Sequence, residues 1–194
     1  MKIFVTGASG FVGSAVVAEL IAAGHHVTGL VRSQTAAEAL VAAGAEAHFG
    51  ALTDHDSLEA GAAKADGVIH TAFIHDFSKF AENCEIDRLA IEALGSALAG
   101  SDRPLIVTSG TGLLSRGKLA TEATDAPTGS NTYPRVSEQT GLAQAAKGVR
   151  ASVIRLPPSV HGEGDHGFVP LLIGIARDKE SAAYIDDGAN VWPA

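Results

Sequence analysis

Thr6-Gly7-Ala8-Ser9-Gly10-Phe11-Val12-Gly13 decides how this chain reads. A short β-branched run, residues 2–5, leads into it, and an alanine-rich run, residues 11–23, leads out of it. Between a strand and a helix each glycine has a physical task. Gly7 makes the tight turn, Gly10 lets the backbone approach a pyrophosphate with no Cβ in the way, and Gly13 lets the helix pack closely on the strand. The free N–H groups and the dipole at the helix start then face the phosphates.

Outward from that turn the same alternation repeats. Strands are expected at 26–31, 45–49, 67–71, 105–109 and 151–156, and helices at 35–43, 54–63, 77–99 and 131–146. Gly24 and Gly44 stand where a helix C-cap needs a left-handed residue, and Asp54 stands as an N-cap. Strands alternating with helices give right-handed crossovers, hence a doubly wound parallel α/β sheet of the Rossmann kind. Residues 1–156 are expected to form the dinucleotide-binding domain, and 157–194 a cofactor-side loop and the start of a substrate region. The polar stretch 115–130 reads as a long loop.

Composition narrows the function classes. The 194 residues are 46% hydrophobic and 19% charged, enough apolar content for a packed core. Fourteen basic residues against 22 acidic leave a net charge of −8, which argues against phosphate-driven nucleic-acid binding and against a polybasic membrane patch. A single cysteine, Cys84, excludes an internal disulfide and a cysteine zinc cluster, and reads as a buried small hydrophobe. The N-terminal apolar run is too short for a signal peptide and no stretch is long enough to span a bilayer, so a cytoplasmic location is expected.

The spacing Gly7-x-x-Gly10-x-x-Gly13 resembles that of the extended and atypical short-chain dehydrogenase/reductases. Asp66-Gly67-Val68-Ile69-His70-Thr71-Ala72 is similar to the family's fourth strand under the cofactor, and Ile106-Val107-Thr108-Ser109-Gly110-Thr111 to its fifth, which carries an active-site hydroxyl. The segment from Arg155 through Pro157 and His161 to Asp165 resembles the family's loop beside the nicotinamide. The resemblance implies cofactor contacts at Gly7, Ser9, Gly10, Phe11, Val12, Gly13, Thr71, Ala72, Pro157 and His161. It implies Ser109 as the hydroxyl that polarises a substrate oxygen and Tyr133 as the acid or base. It also implies a homodimer through the helices near 77–99 and 131–146, and a longer protein. In that longer protein residues 182–185 and 190–192 begin the part after the sixth strand, where Trp192 would need cover.

Two features refine this. An NAD site needs an acid near the end of the second strand for the ribose 2′-OH. Thr28-Gly29-Leu30-Val31-Arg32-Ser33-Gln34 has none, and Arg32, with Ser33 as a further donor, suits a 2′-phosphate, so NADP is expected over NAD. Leu52 is expected to contact the adenine. The second feature is a departure. Family members carry a lysine four residues after the tyrosine, which lowers its pKa. Ser137 stands there instead, or Glu138 against Pro134 in the neighbouring register. With Arg135 two residues away on a helix and pointing elsewhere, and Lys118 and Lys147 at the wrong spacing, Tyr133 is expected to titrate near the ordinary phenol value of about 10.

The expected activity is therefore an NADP-dependent oxidoreductase on a small carbonyl or alcohol. Dinucleotide binding without turnover, as a redox-sensing or scaffold protein, is the alternative, and a nucleotide-sugar epimerase or dehydratase the weaker one. His75 and His161 are alternative proton donors. His161-Gly162-Glu163-Gly164-Asp165-His166 brings two histidines and two carboxylates together, but its glycines give no fixed ligand geometry, and no metal is expected.

Overall fold

A computed structural model describes residues 1–114, 119–126, 129–130 and 133–189. Six strands run parallel: β1 Lys2–Thr6, β2 His26–Val31, β3 Glu46–Phe49, β4 Gly67–His70, β5 Pro104–Gly110 and β6 Arg150–Leu156, in the order β3-β2-β1-β4-β5-β6. The order reverses between β1 and β4, the switch point where such sheets open a crevice at their carboxyl edge.

Helices α1 Phe11–Ala22, α2 Gln34–Ala42, α3 His55–Ala63 and α4 Phe80–Leu98 form the crossovers. Because successive strand residues face opposite sides, β1 feeds two cores. Phe4 joins Leu58, Leu94, Leu98, Leu105 and Val107 under α3 and α4, while Ile3 and Val5 join Val17, Val27, Val31 and Leu40 under α1 and α2. Gly24 and Gly44 do take left-handed φ of +81° and +92° after α1 and α2. Asp54 caps α3 by accepting from Ser57 N at 3.1 Å. Arg103 ties the carbonyl ends of α3 and α4 together, donating to Ala65 O at 2.7 Å and Ala97 O at 2.8 Å.

The later helices differ from expectation. The run 77–99 begins as a 3-10 turn, Phe77–Lys79, capped by Asp76, before α4 starts at Phe80. The run 131–146 is shorter: α5 spans only Ser137–Ala143, followed by a 3-10 turn at Gln144–Lys147. Pro134 contributes, because its ring disfavours a helical backbone at the preceding residue, Tyr133. Residues 133–136 are neither helix nor strand. The described parts of the 115–130 stretch hold no helix or strand either. Lys118 and Trp192 lie outside the described residues.

After β6 the chain forms α6, Phe168–Asp178, none of whose residues is buried. Phe168, Leu171, Leu172, Ile173 and Ile175 are 45–61% exposed. No described helix is long and apolar enough to cross a membrane.

Candidate functional site

The turn after β1 is built as its glycines require. Gly7 has φ +71°, and a Cβ on it would lie 2.8 Å from Ala72 N and from Thr71 Oγ1. A Cβ on Gly13 would fall on the Gly7 carbonyl oxygen, 2.7 Å from its carbon and 2.9 Å from Thr71 Oγ1. Thr71 Oγ1 donates to Thr6 O at 2.8 Å, so this hydroxyl clasps the turn from β4. Gly10 is the N-cap of α1 and offers no side chain, which leaves first-turn N–H groups without intrahelical acceptors. Ser9 and Gly10 are exposed beside them, with Phe11 and Val12 half-buried. This backbone fits a pyrophosphate: donors face outward at a helix start, and the volume above them is kept clear by residues without Cβ. Gly13→Ala forces a methyl into backbone atoms that cannot swing aside, a strain of about 1–3 kcal/mol. If the turn yields, the loss appears in dinucleotide affinity, up to about 100-fold by calorimetric titration. Unchanged affinity in the folded variant would contradict the tight-turn reading.

The other proposed cofactor contacts are more varied. Arg32 is exposed one residue beyond β2, with no hydrogen bond or ion pair among the described residues. Ser33 caps α2, accepting from Ala36 N at 3.2 Å. Leu52, read as an adenine contact, is 8% exposed and packs into the core with Phe4 and Leu58. The loop carrying Pro157 and His161 returns over the start of α1, where a Cβ on Gly162 would lie 3.7 Å from the Phe11 ring. His161 is exposed, and among the described residues no three His, Cys, Asp or Glu side chains gather as metal ligands.

Ser109 ends the buried row of β5 that includes Leu105 and Val107. It is 4% exposed, and its Oγ has no hydrogen-bond partner among the described residues. A buried hydroxyl without a partner is uncommon and calls for an explanation at a site. Thr108 faces the other side and donates to His70 O at 2.8 Å.

Around Tyr133 the structure corrects the sequence reading. Its ring packs on Phe80 at 5.5 Å, and Phe80 on Phe73 at 6.2 Å; His75 and Phe77 extend the cluster at the sheet's carboxyl edge. Arg135 does not point elsewhere. Its guanidinium lies 4.2 Å over the Phe73 ring, and its charge is felt by Tyr133, His75 and Cys84. Outside a helix, residues two apart can share a side, so helical spacing does not separate Arg135 from Tyr133. Burial raises the Tyr133 pKa above its usual value, and the Arg135 charge opposes that rise. Burial and Arg135 both lower the His75 pKa. His75 is thus neutral at pH 7 and has no readily given proton.

Behind Tyr133 runs a buried polar chain that the sequence reading missed. Thr6 Oγ1 and His70 Nδ1 share a hydrogen bond of 2.7 Å, and His70 Nε2 donates to Asp87 Oδ1 at 3.1 Å. Ser137 Oγ donates to Asp87 Oδ2 at 2.5 Å and accepts from Arg135 Nε at 2.9 Å. Thr6, His70, Asp87 and Ser137 are all at most 2% exposed. One trace was legible: Asp87 interrupts the apolar stripe Cys84, Ala90, Ile91, Leu94 of α4, where a carboxylate needs a partner. Ser137, in the place expected of a lysine, holds Arg135 instead. Glu138 is engaged elsewhere, paired with Arg155, which also donates to Thr121 O at 3.2 Å and Thr124 O at 2.6 Å.

A parallel sheet with a glycine turn at its switch point, and a tyrosine and serine on the same edge, defines a Rossmann domain of the short-chain dehydrogenase/reductase type. The chain belongs to the NAD dependent epimerase/dehydratase family, whose model matches residues 3–193. It is 54% identical over 196 residues to an uncharacterized protein of Schizosaccharomyces pombe, covering 100% of this chain and 66% of that protein. It is 29% identical over 199 residues to a 4-hydroxy-2-methyl-3-oxo-4-farnesyl-3,4-dihydroquinoline-1-oxide ketoreductase of Stigmatella aurantiaca, covering 97% of this chain and 58% of that one. The chain thus spans 66% and 58% of these two curated relatives. Its fold is similar to that of a UDP-glucose 4-epimerase of Thermotoga maritima solved with UDP-glucose, at TM-score 0.71 and 21% identity, over 99% of this chain and 68% of the epimerase.

Proposed function

We propose that this protein is an NADP-dependent oxidoreductase that interconverts a small carbonyl compound and its alcohol. The observation that carries this is Tyr133: 40% exposed, packed on Phe80, with the Arg135 charge acting on it, at the same carboxyl edge as the glycine turn. When bound, the dinucleotide supplies or takes the hydride at the substrate carbon. The first turn of α1 holds its pyrophosphate and Arg32 the 2′-phosphate. Tyr133 gives the substrate oxygen its proton in reduction, and a phenol with a raised pKa stays protonated for this at neutral pH. His75, neutral at that pH, is the poorer donor. Ser109 donates a hydrogen bond to the same oxygen, which satisfies a hydroxyl that has no partner among the described residues. Phe73, Phe77 and Phe80 form the aromatic cluster beside Tyr133. Reductase chemistry is also what the Stigmatella relative carries by name.

The test is calorimetric titration of NADPH and NADH, with Arg32→Ala alongside. A charge-assisted hydrogen bond contributes about 1.5–3 kcal/mol. Arg32→Ala should therefore weaken NADPH by about 10- to 100-fold and leave NADH nearly unchanged. Equal or tighter NADH binding to the unaltered protein would overturn the phosphate assignment.

A second reading, dinucleotide binding without turnover, is favoured by one observation. Ser137 carries no charge and is buried on Asp87. Tight NADPH binding with no oxidation of it across a panel of aldehydes, ketones and quinones would select that reading.

A further inference from the structure

A phenol that gives up its proton leaves a phenolate, and in a partly buried pocket that anion needs a fixed positive charge. We propose that Arg135 is the positioning residue for Tyr133: its guanidinium, clamped by the buried Asp87–Ser137 pair, supplies the charge that stabilises the phenolate. The proposal rests on the oxidoreductase reading for its purpose, though not for its test. The step is a proton transfer. The Tyr133 O–H bond breaks, the proton passes to the substrate oxygen, and the electron pair stays on the phenolate oxygen.

The geometry argues for a clamp rather than a free surface arginine. Arg135 has two restraints that fix different parts of the side chain. Nε donates to Ser137 Oγ at 2.9 Å, and the guanidinium carbon lies over the Phe73 ring, 4.2 Å from its centre. Ser137 cannot rotate freely, because the hydrogen it carries goes to Asp87 Oδ2 at 2.5 Å. Asp87 is fixed in turn by His70, and His70 by Thr6 at the end of β1. The chain therefore runs from the strand that bears the glycine turn, through β4 and α4, to the residue that acts on the phenol. A hydroxyl that both accepts from arginine and donates to a carboxylate also relays charge: the buried Asp87 strengthens the bond that Ser137 offers Arg135. The groups facing Tyr133 are Arg135 from its own segment, and Cys84 and Phe80 from α4. Arg135 is the cation among them.

The sequence contains two tyrosines, Tyr133 and Tyr184, so a Tyr184→Phe background leaves Tyr133 as the one phenol. With 13C-tyrosine in that background, the Tyr133 ring carbon is followed through an alkaline titration. Arg135→Met should raise the Tyr133 pKa by about 1 or more, the size expected for loss of a nearby opposite charge. Arg135→Lys should restore most of it, because the charge returns without the planar stack. Ser137→Ala should raise it by a smaller amount, because the charge remains and only its clamp is lost. A purely structural role would not respond to charge in this order. An unchanged Tyr133 pKa in folded Arg135→Met would overturn the proposal.

A second readout covers alkaline unfolding. His75 faces Arg135, His166 and the Phe73 backbone, and Arg135 is one cause of its lowered pKa. Its ring titrates below the usual imidazole value, on the opposite side of neutrality from the phenol, and is assigned by comparison with His75→Gln. In Arg135→Met the His75 pKa should rise; in Arg135→Lys it should stay. If it does not move in Arg135→Met, the guanidinium is not held at this edge and the clamp falls. Neither titration uses cofactor or substrate, so failure of the oxidoreductase reading, seen in NADPH binding and turnover, is separate.

Discussion

Asp87→Ala is expected to lower the unfolding free energy by about 2–5 kcal/mol, the cost of leaving two buried hydrogen-bond donors without an acceptor. Asp87 is 2% exposed and accepts from His70 at 3.1 Å and Ser137 at 2.5 Å. Alanine leaves both donors buried with nothing to receive them, and opens a small void in α4. Domains of this kind have about 5–15 kcal/mol in total, so the loss is a large fraction of the whole. It should appear as a lower midpoint in urea with an unchanged slope. Asp87→Asn should cost less, because the amide oxygen still accepts from one donor, and only the bond on the NH2 side is lost. An Asp87→Ala midpoint equal to that of the unaltered protein would show that the polar chain ties nothing together.

Tyr133→Phe should reduce carbonyl reduction by about 100- to 10,000-fold, the usual contribution of a positioned proton donor. NADPH affinity should not change, since the phenol oxygen has no part in the phosphate or ribose contacts proposed above. Stability should hardly change, because the ring keeps its packing on Phe80 at 5.5 Å. The pH dependence carries the sign. A donor must be protonated, so the reduction rate stays level through neutral pH. It falls only as pH rises through the Tyr133 pKa, which burial holds above the usual phenol value. A profile that instead falls between pH 5 and 7 would point to an imidazole and sink the assignment. His75 would then be the first residue to replace.

The glycine turn, the parallel sheet and most element boundaries were legible in the sequence, because each is set by residues near one another in the chain. Strand and helix periods are local, and so are the left-handed ends at Gly24 and Gly44 and the cap at Asp54. Pro134 was also in plain view. Its restriction on Tyr133 is a nearest-neighbour effect, and giving it full weight would have moved the helix start past Tyr133, although not as far as Ser137. Leu52 shows the opposite case: that its side chain is buried in the core with Phe4 and Leu58 is a product of packing and not of local sequence.

What the sequence by itself determined is a dinucleotide-type fold and the chemical character of its carboxyl edge: a glycine-rich turn, Arg32 after β2, the Ser109 hydroxyl on β5 and Tyr133. What only the tertiary structure decided is how that tyrosine meets a charge. Asp87 and Ser137 are 50 positions apart, and Thr6 and His70 are 64 apart. They meet because the crossovers bring the ends of β1 and β4, one face of α4 and the start of α5 to the same edge. No periodicity encodes such a meeting. Hydrogen bonds between buried groups depend on position to within a few tenths of an ångström, and that precision exists only once the sheet and its helices have packed.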